Sequence, residues 1–380
     1  MIRVAEFVLP GHPDKFCDAV ADAIIAEVLK VDADGYGQVE VSVWSDQVFL
    51  TGSVCTRRPI PVDFADVVVA TGIDIGYTDG NHIDARKYRV TDTVCRNLGD
   101  PTRWTGHVND QAICIGWAGY DEKVDWLPIE HWLAREFRDA LYTSCKRGRL
   151  KGQGPDGKLL VRVREEGNRW QLEHLLVTLQ QRPETSFLDL CAGIAATAEE
   201  AYLRIQRNDA RWCARWSDVE LMLNPNGPLL NGGSDGDNGQ TGRKLVMDYY
   251  GPRVPIGGGA LSGKDPTHID VAGVRLARHA AQKDVLDGAA ECLVRLTYAP
   301  GFNCPIDVHK ETRRGNGTEG AASASFGKCE ETLMTVLQEL RTGPQIRPQR
   351  KLDALSMHAL QAVLKHRPIV LQQHIATDFD

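Results

Sequence analysis

Helical and strand periodicities alternate in every third of the chain, and this rhythm constrains the fold more than any single motif. Apolar residues recur at Phe16, Val20, Ala23, Ile24 and Val28, the spacing of an amphipathic helix over 14–30. Val39 to Trp44 alternates as a strand does, and Gln47 to Val54 reads as a second strand, so a hairpin follows the helix. The middle third mixes elements in the same way. It has an apolar strand at 112–118, an amphipathic helix over 126–141, strands at 158–164 and 170–179 around the turn Glu166-Gly-Asn168, and a long helix over 186–207. In the last third, a Gly/Asn/Asp-rich stretch at 224–237 precedes a strand at 244–250. A helix at 271–287, a strand at 291–298 and a helix at 329–341 follow. No sequence repeat is evident, but the order fits three similar α+β units.

The 380 residues are too many for one small core and suit two or three domains. With 42% hydrophobic and 25% charged residues the balance is that of a soluble globular chain. A net charge of −7 speaks against a general nucleic-acid or anionic-membrane binder, while leaving room for a local basic pocket. No stretch reaches the roughly 18–20 apolar residues of a membrane span. The first residues lack the basic and long apolar regions of a signal peptide. None of the ten cysteines forms a C-x-x-C pair, so zinc-site spacing is absent and the expectation is reduced, mostly buried thiols in the cytoplasm.

Three motifs carry chemistry. Gly11-His-Pro-Asp-Lys15 lies where a strand-like segment gives way to a helix. Free N–H groups at a helix N-terminus bind anions. His12 and Lys15 add donors and charge there, and Asp14 is a carboxylate of the kind that holds Mg²⁺ beside phosphate oxygens. A helix-entry turn with Asp as dipole partner explains the same residues. Gly257-Gly-Gly-Ala-Leu-Ser-Gly-Lys264-Asp265-Pro266 nearly matches the phosphate loop G-x-x-x-x-G-K-[ST] from Gly258. Asp265 stands where Ser or Thr would hold Mg²⁺, so the match fails at its most chemical position; a flexible surface loop is the other reading. Gly236-Asp-Asn-Gly-Gln-Thr-Gly-Arg243-Lys244 places a guanidinium fork and an ammonium after a Gly-rich turn. That pair suits a polyphosphate, or a solvated strand start.

Together, in this order and spacing, the three motifs resemble the methionine adenosyltransferase (S-adenosylmethionine synthetase) family over about 6–305. The resemblance implies three similar mixed α/β domains around a pseudo-threefold axis, here 1–92, 107–229 and 231–365. It implies that sulfur of methionine attacks C5′ of ATP, giving S-adenosylmethionine, and that the triphosphate is hydrolysed to phosphate and pyrophosphate. By that resemblance His12, Lys158, Arg243 and Lys264 are catalytic, and Asp156, Lys244, His268 and Leu229 join them in holding ATP. Asp110, Ser53 and Asp237 hold methionine. Asp14 and Asp270 are ligands of two Mg²⁺ ions, Glu40 of K⁺, and Glu6 stands near the site. The family's sites lie between subunits of a homodimer or a dimer of dimers, and neither nucleic acid nor membrane is a partner.

The sequence departs from the family pattern at several places. His268 stands for Lys, making one phosphate charge conditional on pH. Leu229 stands for an aromatic residue that stacks on adenine, Ser53 for an acid, Asn109 for glycine and Asn238 for a small residue. The segment 94–110 is shorter than the family's gating loop. A relative using another sulfur or selenium amino acid is the second expectation. A phosphate-loop NTPase and a non-catalytic subunit are weaker ones, set against Asp265 and against retention of His12, Asp14, Lys264 and Asp270.

Overall fold

The computed structural model describes residues 1–78, 81, 83–302 and 304–314, and the backbone of 319–325. The helix expected at 329–341 and the last part of the 231–365 unit lie outside the described residues.

In chain order the elements begin with β1 (Ile2–Val8), α1 (Pro13–Val31), β2 (Tyr36–Trp44), β3 (Gln47–Thr56), α2 (Phe64–Ile75), β4 (Arg89–Asp92), β5 (Cys95–Leu98) and α3 (Thr102–Thr105). Next come β6 (Ala112–Gly119), α4 (Ile129–Lys146), β7 (Gln153–Glu166), β8 (Arg169–Gln181), α5 (Phe187–Asn208) and β9 (Glu220–Leu223). Then follow β10 (Gly239–Gln240), α6 (Leu245–Asp248), α7 (Ile269–Leu286), β11 (Glu291–Tyr298), β12 (Asp307–Arg313) and β13 (Glu319–Ser325). The chain is a mixed α+β structure of three sheets. Their strand orders are β10-β2-β3-β4 with β5 also on β3, then β1-β7-β8-β9, then β13-β12-β11-β6.

Each sheet takes a strand from another part of the chain. β1 leaves the first segment and pairs antiparallel with β7, Glu6 opposite Leu160. β6 pairs with β11, Cys114 opposite Leu296. β10 returns to β2, Gly239 opposite Val43. Helices cover the sheets: α1 lies on β2 and β3, α4 on β1 and β7, and α7 on β6 and β11.

The periodic segments fold as their patterns require. α1 buries Phe16, Val20, Ile24 and Val28 against Val39, Val41, Val48 and Leu50. Ser186 caps α5 through Asp189 N–H at 3.3 Å. The helix expected from 126 begins instead at Ile129, because Asp125 and Trp126 have positive φ and Pro128 precedes the first turn. The strand expected at 244–250 is the short helix α6, ended at Gly251 with φ 80°. Leu245 to Tyr250, apolar or aromatic except for Asp248, is too short for periodicity to separate helix from strand.

His131 on α4 is 2% exposed and rests on Phe7, ring centroids 4.7 Å apart. Burial, then the charges of Arg135 and Arg138, pushes its imidazole from 6.5 down to about 3. Between those pH values the unfolded chain binds a proton that the folded one does not. The stability due to the neutral ring is therefore complete above pH 6.5 and is lost as pH falls toward 3, by up to about 1.4 kcal/mol per unit. Melting temperatures should fall from pH 6.5 to 4.5, and His131→Phe should flatten that slope relative to wild type. Parallel slopes would place the acid sensitivity elsewhere.

Candidate active site

The end of β1 and the start of α1 fix the first half of the site. A Cβ on Gly11 would lie 2.3 Å from the Pro155 carbonyl oxygen, so only glycine brings α1 this close to β7. His12 is the N-cap, Pro13 occupies the first turn, and His12 Nδ1 accepts the Asp14 N–H at 3.2 Å. With Nδ1 engaged as acceptor, a neutral ring carries its proton on Nε2. Burial, reinforced by Lys244 and opposed by Asp14 and Asp237, lowers His12 to about 4. At neutral pH it is therefore an uncharged N–H donor.

Asp14 is 1% exposed. Its Oδ1 accepts the Gln240 N–H at 2.9 Å, its Oδ2 takes the Lys244 ammonium, and Arg243 Nε is 3.6 Å from Oδ1. Asp156 accepts the Gly233 N–H at 2.7 Å, and burial raises it to about 6. Lys158 pairs with Glu6 at 2.7 Å across β7 and β1. The charges of Lys158 and Asp237 are felt at His12, and that of Asp237 at Asp156. Seven of the expected residues thus share one neighbourhood: His12, Asp14, Asp156, Lys158, Asp237, Arg243 and Lys244.

The start of α7 repeats the device. His268 is the N-cap, and its Nδ1 accepts the Asp270 N–H at 3.2 Å. Asp270 takes Lys264 Nζ at 2.6 Å. A Cβ on Gly259 would fall 2.2 Å from the Asp270 carboxylate, so glycine is what admits the loop here. Burial and the Lys264 charge push His268 below 6.5. Both disfavour the charged ring, and its Nδ1 serves as the helix cap. Asp110 is exposed, and its charge is felt at His268.

Asp265, the residue that breaks the phosphate-loop pattern, is 2% exposed and accepts the Gly37 N–H at 3.3 Å and the Thr267 N–H at 3.0 Å. It pins the loop to β2, where Lys264 bridges to Gln38. In an NTPase loop the helix starts at the lysine; here α7 starts at Ile269. Lys15, read from sequence as an anion donor, is held instead by Asp18 at 2.8 Å and by Asp248.

Other expected residues lie further out. Ser53 on β3 accepts from Asn97 Nδ2 on β5 at 3.0 Å. The backbone of Leu229 accepts from Gln181 N–H at 2.8 Å, beside Gln180, whose Oε1 takes the Asp156 N–H at 3.3 Å. Glu40 is exposed in mid-β2 opposite Thr51. The short segment 94–110 forms β5 and α3, with Trp104 against Tyr36 at 5.6 Å between centroids.

Among the described residues no group of three or more His, Cys, Asp or Glu side chains is placed to hold a metal. Asp14 and Asp270 each stand at a helix N-terminus against a lysine. One carboxylate per ion, completed by phosphate oxygens and water, fits Mg²⁺ and does not fit a metal caged by protein alone. Asp18, Asp22 and Asp248, which hold the glycine-rich loops and Lys15, lie outside the three motifs. The spacing 14, 18, 22 was the available signal, one residue per helical turn.

Two histidine-capped helix ends, each with a carboxylate and a lysine from a glycine-rich loop, define an enzyme that handles nucleotide phosphates. Residues 1–97 match the model of the S-adenosylmethionine synthetase N-terminal domain, and 231–336 that of its C-terminal domain. A protein of Thermosynechococcus vestitus named S-adenosylmethionine synthase is 29% identical over 388 residues, spanning 94% of this chain and 87% of its own. Proteins of the same name from a Synechococcus species and from Gloeothece citriformis are 32% and 30% identical, each over 81% of this chain and over 79% and 78% of their own length. The chain belongs to the S-adenosylmethionine synthetase family.

Proposed function

We propose that this chain is a methionine adenosyltransferase that joins ATP and L-methionine, consumes one water in cleaving the triphosphate, and releases S-adenosylmethionine, phosphate and pyrophosphate. The observation that carries the reading is His12: a neutral Nε2–H donor, its other nitrogen tied to the Asp14 N–H at 3.2 Å, amid Lys158, Arg243 and Lys244. A thioether sulfur has no proton to lose, so attack on C5′ needs no general base. It needs alignment and a stabilised leaving triphosphate. His12 donates to the departing oxygen. Lys158, Arg243, Lys244 and Lys264 take the phosphate charge, with Asp156 supporting the nucleotide and Leu229 offering an apolar contact to the base. Asp110, Asp237 and Ser53 receive methionine; the two acids suit its ammonium and the sulfonium product.

Asp14 and Asp270 would hold two Mg²⁺ ions and Glu40 a K⁺ ion. Bound Mg²⁺ would neutralise charge on the triphosphate. The lysines and His12 orient the chain, and the phosphates themselves complete each ligand set.

Three units, 1–92, 107–229 and 231–365, related by a pseudo-threefold axis, account for the cyclic exchange of β1, β6 and β10. The helix ends of α1 and α7 carry separate parts of the machinery, which suits sites completed between subunits of a homodimer or a dimer of dimers. Trp44 at 55% and Phe49 at 45% exposure share the open face of β2 and β3 with Glu40, a surface such a dimer would cover. Nine described cysteines are free thiols, as in the cytoplasm.

Protein incubated with ATP, methionine, Mg²⁺ and K⁺ should yield S-adenosylmethionine by mass spectrometry, with equal phosphate and pyrophosphate. ADP formed without methionine would contradict the reading. Ser53 bonded to Asn97, where the family has an acid, favours a second reading in which another sulfur or selenium amino acid takes the place of methionine. Faster turnover with such a compound would select it.

A further inference from the structure

Asp14, Asp18 and Asp22 stand one turn apart on one face of α1. Each accepts a backbone N–H from a glycine-rich loop. Asp14 Oδ1 takes Gln240 at 2.9 Å, Asp18 Oδ1 takes Gly242 at 2.9 Å, and Asp22 Oδ1 takes Gly263 at 3.0 Å. The first two N–H groups belong to the loop that ends in Arg243 and Lys244. The third immediately precedes Lys264. The remaining oxygens reinforce the same anchorage: Asp18 Oδ2 accepts from Lys15 at 2.8 Å, Lys15 also reaches Asp248 at the end of α6, and Asp22 Oδ2 accepts from Ser262 Oγ at 3.3 Å.

We infer that Asp18 and Asp22 are positioning residues for the phosphate-binding cations, with α1 acting as a rail on which both glycine-rich loops are registered. The inference rests on the reading of those loops as triphosphate-binding. Glycines give the loops freedom to approach phosphate, and the same freedom lets Arg243, Lys244 and Lys264 wander. Gly242 and Gly263 have φ of 78° and 74°; pairing to β2, through β10 and through the Lys264–Gln38 bridge, holds one side of each loop and leaves the N–H groups of these two glycines to acceptors on α1. A carboxylate on a rigid 19-residue helix supplies that constraint at the residue next to each cation. Asp18 is 2% exposed and Asp22 is partly buried, and both oxygens of each carboxylate accept from protein donors.

The chemistry of the second oxygen separates positioning from charge or stability. Asn at 22 keeps an oxygen for the Gly263 N–H, and the Ser262 hydroxyl can turn to accept from the new amide. Asn at 18 keeps an oxygen for Gly242 but sets an amide N–H₂ against the Lys15 ammonium. Tripolyphosphate with Mg²⁺ is titrated calorimetrically into the full chain, alongside thermal melting. Asp22→Ala should weaken binding by about tenfold or more, the range of one charge-assisted hydrogen bond. Asp22→Asn should stay within about threefold of wild type, Asp18→Asn should behave like Asp22→Ala in binding, and the two Asp22 variants should melt near the wild-type temperature. Wild-type affinity in Asp22→Ala would overturn the inference. So would equal loss in Asp22→Asn and Asp22→Ala with a lowered melting temperature in both, and so would absence of tripolyphosphate binding by the wild type. If the expected affinities are found but no S-adenosylmethionine forms, the rail stands and the adenosyl-transfer reading fails.

Discussion

Replacing His12 by Ala lowers the rate of adenosyl transfer by about 10²–10³-fold while ATP affinity changes far less, the split expected when a donor acts mainly on the departing oxygen. Nδ1 is committed to the Asp14 N–H, so the proton resides on Nε2, and burial with Lys244 nearby depresses the ring to about 4. An imidazolium acid with an ordinary pKa would lose activity as pH rises through 6–7. A neutral donor depressed this far leaves no such limb, and single-turnover rates should be independent of His12 titration between pH 5 and 8. Measuring product formation and ATP binding separately in His12→Ala checks the split; equal losses in both assign His12 to ground-state binding. The pH profile of the wild type checks the protonation state independently.

Asp14→Asn should have opposite effects on two quantities, and the divergence is diagnostic. Asp14 now accepts the Lys244 ammonium and lies 3.6 Å from Arg243 Nε. A triphosphate must draw those cations away before it can use them. Removing the negative charge frees them, so tripolyphosphate without Mg²⁺ should bind more tightly, by about tenfold at low salt. Mg²⁺-dependent turnover should fall by about 10³-fold or more, because a ligand carboxylate is lost. The wild type carries the complementary expectation: Mg²⁺ alone binds weakly while lysine occupies the carboxylate, and tripolyphosphate strengthens it by the same factor that Mg²⁺ strengthens tripolyphosphate. Calorimetric titrations in both orders read this directly. Unchanged Mg²⁺ enhancement in Asp14→Asn would remove Asp14 from the metal site.

Local periodicity was the legible part of the fold. α1, the β2–β3 hairpin, α5 and β11 follow from the spacing of Phe16 to Val28, the alternation around Val41 and Val48, Ser186 as a cap, and the pattern of 291–298. α6 differs from the strand expected at 244–250 because a six-residue stretch with no glycine or proline until Gly251 suits either state. The partners of β1, β6 and β10 were not legible, since pairing such as Val8 with Lys158 depends on contacts some 150 residues apart. The three motifs were visible because glycine, lysine and aspartate cluster in them. Their internal bonds were not: nothing in Thr267-His-Ile-Asp270 distinguishes a capping histidine from a phosphate ligand, and Asp22 reads as one more exposed helix charge until Gly263 is seen against it.

The exchange of strands has a consequence for how the chain is made. β1 is made before the other described elements, yet its neighbour β7 lies at 153–166 and its sheet also needs β9 at 220–223. The first sheet waits in turn for β10 at 239–240, and β6 for β11 at 291–298. Among the described strands each of the three sheets includes one from a different third, so no sheet forms from one contiguous stretch of chain. Unpaired edges persist until most of the protein has been made, and the nascent chain is then most exposed to mispairing. Once all three exchanges are in place each sheet locks a segment of another, and loss of any one strand is felt in a different third of the molecule.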